Sequence, residues 1–141
     1  MPQYLLFQLH LTEAQNFEVA AVPSAPLADA MFAARMGRVD EALAMDLYRP
    51  VARLEASDLE DLFTRTNSID APWYEAPEID LLVRGGAPST SVGDIAIETE
   101  TGQGHFCADF GWKPLAPAQC EALMRKAGAA PAAPDESPEG P

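Results

Sequence analysis

A chain of 141 residues and 15.1 kDa has room for one domain of ordinary size, which argues against a multi-domain enzyme. Hydrophobic residues make up 48% and charged residues 22%, an average globular balance, so most of the chain should bury a core. Nine Lys and Arg stand against 22 Asp and Glu, and a net charge of −13 repels phosphate backbones, which disfavours ordinary DNA or RNA binding.

In chain order, residues 4–11 form a nearly continuous apolar run of strand length, which suits a central strand covered on both faces. The N-terminus lacks a basic region, and Gln8 and His10 interrupt the apolar run, so it does not read as a secretory signal. Pro23-Ser24-Ala25-Pro26 punctuates the chain before a short amphipathic helix over 27–36, in which Leu27, Ala30, Met31 and Ala34 share a face and Gly37 supplies a stop. Residues 41–54 are ambiguous: Leu43, Met45 and Leu47 alternate as in a strand, although Ala, Met and Leu also favour helix. The alternation predicts a strand running to Tyr48 and ended by Pro50.

Ser57-Asp58-Leu59-Glu60 predicts a capping box, with the Ser57 hydroxyl accepting from the Glu60 N–H and the Glu60 carboxylate reaching back. The helix that follows has Leu59, Leu62 and Phe63 on its apolar face, and Asn67 is placed to end it in the left-handed region. Residues 69–77 are a Pro-punctuated loop whose adjacent Trp73 and Tyr74 must pack or bind. Residues 79–83 read as a short strand closed by Gly85-Gly86. Residues 95–100 and 105–110 read as an antiparallel pair joined through Thr101-Gly102-Gln103-Gly104. Pro117 opens a last helix over 118–126, anchored by Leu123. Residues 127–141 carry no bulky apolar side chain and read as a disordered Pro/Ala/acidic tail. The expected fold is α+β, a single domain over 1–126: a mixed, mainly antiparallel sheet of four or five strands with two or three helices packed on it.

Two cysteines are too few for a disulfide framework and form no C-x-x-C pair, so a reducing cytoplasm is expected. No apolar run is long enough to span a membrane, and none is expected to bind one. His105 and Cys107 alternate on one strand and face the same side, but no third ligand is near; no metal and no cofactor are expected. Cys107 has no basic neighbour in sequence to activate it, and the glycine pairs lack phosphate-loop spacing. The most distinctive segment is Thr90-Ser91-Val92-Gly93-Asp94-Ile95, where a glycine beside a short acid permits a tight turn. It could hold a ligand, but Ser and Asp routinely bond local backbone in turns, and that reading is favoured. Glu55, Asp58, Glu60 and Asp61 cluster as an acidic surface, either a solvated helix face or a carboxylate array fitting a basic cleft on a partner.

Leu59-Glu60-Asp61-Leu62-Phe63-Thr64-Arg65-Thr66-Asn67, then Ser89-Thr90-Ser91-Val92-Gly93-Asp94-Ile95, then Cys107-Ala108-Asp109-Phe110-Gly111-Trp112-Lys113-Pro114-Leu115 resemble, in order and spacing, the YodL-like domain family. The likeness runs from Tyr4 to about Leu115, and includes an N-terminal strand ending in Gln-Leu. Such small proteins come from plasmids, conjugative elements and phages, sometimes beside anti-restriction domains, with no settled catalytic activity. The resemblance implies a non-enzymatic interaction protein of a mobile genetic element, with a counter-defence role as a nucleic-acid mimic or as an inhibitor binding a host protein. The chain departs from the family pattern in carrying Trp73-Tyr74 after Asn67 and Ile69-Asp70, and Trp112 where Phe is usual. The residues expected to meet a protein partner with a basic surface are Asn67, Asp70, Trp73, Tyr74, Ser91, Asp94 and Trp112. The alternative is a small ligand-binding domain or enzyme using the Ser91 and Asp94 turn near His105.

Overall fold

Residues 4–8 are all buried, so the first strand, β1 (Gln3–Leu9), is covered on both faces as its unbroken apolar run requires. The computed structural model describes residues 1–21, 26–67 and 71–129. After β1 come α1 (Glu13–Ala21), α2 (Pro26–Arg35), α3 (Asp40–Ala44), β2 (Tyr48–Glu55) and α4 (Leu59–Arg65). A 3-10 turn (Trp73–Glu75), β3 (Asp80–Leu81), β4 (Ile95–Glu98), β5 (Gly104–Cys107), β6 (Trp112–Pro114) and α5 (Pro117–Ala129) complete the chain. The strands form one sheet in the order β3-β2-β1-β4-β5-β6, with every pairing antiparallel. The fold is α+β as expected; among the described residues the sheet has six strands rather than four or five, and no parallel pair.

Period-two alternation divides β1 between two cores. Leu5 and Phe7 join Ile95 and Ile97 beneath Leu27, Ala30 and Ala34 of α2, Ala42 of α3, and Cys120 and Leu123 of α5. Tyr4 and Leu6 join Val51, Leu54 and Ala96 beneath Leu62 of α4, Trp73 and Ile79. Helices therefore cover both faces of the sheet.

Four local readings need correction. Residues 40–44 are helical, because burying Ala42 against α2 outweighs a short alternating pattern, and the strand begins only at Tyr48. Pro50 does not end that strand. The β1–β2 register shifts between Leu6, opposite Ala52, and Phe7, opposite Pro50, leaving Val51 as the extra residue of a bulge. β3 pairs only with Ala52 and Arg53, so Pro50 lies beyond its reach and has no partner on that side. The N-cap of α4 is Asp58, whose carboxylate accepts from the Asp61 N–H at 2.8 Å, while Asp61 Oδ2 accepts from the Ser57 N–H at 2.8 Å. The box is shifted one residue along the chain. Asn67 is not left-handed either; its side-chain Nδ2 donates to the Phe63 carbonyl at 2.9 Å and so satisfies the helix end directly.

The expected hairpin of residues 95–110 forms as β4 and β5, and the chain then doubles back at Gly111 (φ +78°) to add β6. α5 extends three residues past Lys126 to Ala129, so the expected disordered segment does not begin at 127; residues 130–141 of that tail lie outside the described residues.

Candidate functional site at one end of the sheet

The Ser91–Asp94 turn opens β4 and is closed on itself: the Asp94 N–H donates to the Ser91 carbonyl at 3.0 Å, and the Ser91 N–H donates to Asp94 Oδ2 at 3.0 Å. Gly93 is required twice over. Its φ is +97°, and a Cβ there would collide with the Ala34 carbonyl oxygen at the end of α2. That close approach brings Arg35 onto the turn, where its Nη1 donates to Ser91 Oγ (3.0 Å), the Val92 carbonyl (3.2 Å) and Asp94 Oδ1 (3.1 Å). The Tyr48 hydroxyl donates to the Gly93 carbonyl at 2.6 Å, and Gln8 Nε2 donates to Asp94 Oδ2 at 3.1 Å and to the Pro88 carbonyl at 3.0 Å.

Asp94 is 1% exposed. Burial pushes its carboxyl up to about 6, against the Ser91 N–H and the Arg35 guanidinium, which favour the anion. Burial likewise raises the Tyr48 phenol, with the charge of Asp94 adding to the effect. Gln8 Oε1 is buried without a partner among the described residues. Turning the amide over would set that oxygen against the Asp94 carboxylate, so the observed orientation is the one electrostatics favours.

The end of α4 lies beside this turn. Asn67 Nδ2 donates to the Thr90 carbonyl at 3.2 Å, the Thr66 and Thr90 hydroxyls are 2.6 Å apart in the interior, and Trp73 Nε1 donates to the Pro88 carbonyl at 3.1 Å. A buried polar seam thus runs from α2 through the turn to α4, and nearly every polar atom in it is paired within the protein.

This placement sorts the residues expected to meet a partner. The Asn67 end of α4 and the Ser91 turn lie side by side, with Ser91 exposed and Asn67 half-buried. Trp73 and Asp94 are interior. Tyr74 is half-buried and edge-on to Trp73 at 5.6 Å. Trp112 is half-buried opposite Cys107, and Asp70 lies outside the described residues. Glu55, Asp58 and Glu60 are exposed, but Asp58 caps its own helix, and half-buried Asp61 accepts from Ser57 N–H and from Arg65 Nε at 2.9 Å. Those bonds, the Ser57 backbone first, hold the Asp61 carboxyl below its usual range.

His105 and Cys107 share one side of β5. His105 is half-buried, and burial followed by the charge of Asp94 raises the buried Cys107 thiol, which makes it a poor nucleophile. Among the described residues no group of three His, Cys, Asp or Glu side chains could hold a metal ion. Sequence reasoning missed Arg35 and Tyr48 as members of the seam. For Gln8 a signal existed, since a lone amide inside an apolar run must find a partner when the strand is buried.

The fold and this seam define a three-layer α+β domain with a closed polar junction. The chain matches no family model, no curated protein and no solved structure.

Proposed function

We propose that this domain is a non-enzymatic interaction protein of a mobile genetic element, acting in the cytoplasm by docking its acidic exterior on a basic surface of a protein partner. The role is counter-defence, with carboxylates imitating the charge of nucleic acid or blocking a host protein's basic cleft. The observation that carries this reading is a division of polar groups. The Ser91–Asp94 turn spends its groups largely on internal bonds, whereas Glu55 and Glu60 stand exposed near the start of α4 on a chain of net charge −13. Such a field accelerates encounter with a basic surface and repels nucleic acid itself. The mobile-element setting rests on the resemblance to the YodL-like family. Among the described residues no helix is long and apolar enough to cross a membrane.

The test is a pull-down from the native host at rising ionic strength, with Glu55→Lys/Glu60→Lys as the charge-reversed control. The partner is expected to elute as salt screens the attraction, and to be retained poorly by the control. A partner held unchanged at high salt by both proteins counts against the proposal. One observation favours ligand binding at the turn instead: the unpartnered Gln8 Oε1 beside Asp94. That reading expects Asp94→Asn to change a small ligand's affinity, beyond any loss of stability.

A further inference from the structure

Seven large hydrophobic side chains are exposed among the described residues, and four of them, Phe17, Phe32, Met36 and Met45, fall within the α1–α3 segment. Phe32 and Met36 are one helical turn apart, 65% and 52% exposed, with Asp29 one turn before Phe32. They lie on the outward side of α2 and the turn that follows it, opposite Leu27, Ala30 and Ala34. α1 has nine residues and buries none of them, holding to the core through half-buried Val19. A helix this short is marginal without tertiary cover, so its outer side is under-covered in the isolated chain.

The same segment is acidic. Glu13, Glu18, Asp29, Asp40 and Glu41 stand against Arg35 and Arg38; Arg35 is committed to Asp94 and Ser91, and Asp46 just beyond is paired with Lys126. Exposed apolar side chains on an acidic segment fit one occupant best. A second copy of this chain would bring like charges together, and an anionic lipid surface or nucleic acid is repelled for the same reason. We propose that the α1–α3 face docks a basic amphipathic helix of a partner protein, with Phe32 and Met36 as its apolar anchors. Leucine-type side chains of that helix cover the two anchors, whose methionine adapts its shape, while Lys or Arg at its flanks meet the carboxylates. This inference rests on the interaction reading above but assigns it a different face from the α4 acids.

The full chain is titrated by calorimetry with a synthetic peptide of Leu and Lys in a helical repeat, and with a scrambled peptide of identical composition. The repeat is expected to bind about tenfold more tightly than the scramble, and Phe32→Ser/Met36→Ser to remove most of that difference. Both side chains are exposed, so circular dichroism of the variant should match the parent; Met36→Gln provides a milder second variant with a smaller loss. Glu55→Lys/Glu60→Lys is expected to leave the preference for the repeat intact. Equal binding of the two peptides, or indifference to the Phe32 and Met36 changes, overturns the proposal. Concentration-dependent dimers abolished by Phe32→Ser overturn it in favour of a second copy. Loss of peptide binding in the Glu55/Glu60 variant alone moves the docking to α4, and leaves the interaction reading standing.

Discussion

Asp94 shows how one buried side chain contributes to the pH response of a fold. In the unfolded chain its carboxyl titrates near 3.8, and burial moves it to about 6 in the native protein. The native state therefore holds the proton more tightly than the unfolded state between those values. The stability this residue contributes is fullest at low pH and is lost as pH rises through about 6, opposite to the behaviour of a salt-bridged surface carboxylate. Urea midpoints measured from pH 4 to 7 should fall for the parent relative to Asp94→Asn, whose amide does not titrate. Parallel profiles would show that Arg35 and the Ser91 N–H fully offset the burial. Gly93 and Gly111 make a second comparison at this scale. Both have positive φ, but a Cβ at Gly93 meets the Ala34 carbonyl while one at Gly111 meets open space. Gly93→Ala should cost about 3 kcal/mol, combining left-handed strain with overpacking, and Gly111→Ala only about 1 kcal/mol. Equal losses in denaturant unfolding would mean that α2 yields to the turn.

Helix α4 shows why the position of an element can be legible while its termination is not. Ser57-x-x-Glu60 and Asp58-x-x-Asp61 both fit a capping frame, and short-range pattern does not choose between them. Arg65 favours the second frame by pairing with Asp61 one turn away at 2.9 Å. Asp58→Ala should then cost about 1 kcal/mol, and Ser57→Ala well under half as much. The reverse order, read from thermal or urea unfolding, would restore the first frame. In β2, Pro50 reads as a stop in isolation, since proline cannot donate to a ladder. It is tolerated beside a bulge in the β1 pairing and where the two-residue β3 offers no partner opposite it, a fact about β1 and β3 rather than about residues 48–55.

The whole molecule is held by two sets of contacts. The seam ties α2 and α4 to the sheet, and α5 closes one core with Cys120 and Leu123. α5 also binds the α3–β2 connection, where Lys126 Nζ donates to Asp46 Oδ1 at 2.6 Å and to the Tyr48 carbonyl. Leu123→Ala should cost roughly 2–5 kcal/mol and lower the single unfolding transition, with no separate loss of α5. A two-step transition would show α5 to be a detachable cover. The net charge of −13 adds self-repulsion across this body, so moderate NaCl should raise the melting temperature by screening it. A falling melting temperature would mean that the attractive pairs outweigh the repulsion.

The sequence by itself determined the features that depend on neighbours a few residues away. These are the buried central strand, the helical face of α2, the β4–β5 hairpin and the start of α5. It also specified that Asn67 and the Ser91 turn carry polar groups, and that the chain is strongly acidic. Tertiary structure alone decided which of those groups remain available. Gln8 and Asp94 lie 86 residues apart, and Arg35 reaches the turn across 59. Whether a serine, an aspartate or a tryptophan faces water or the interior is set by which distant elements close over it. That depends on the volume and hydrogen-bonding balance of the assembled core, and leaves no local periodicity to read.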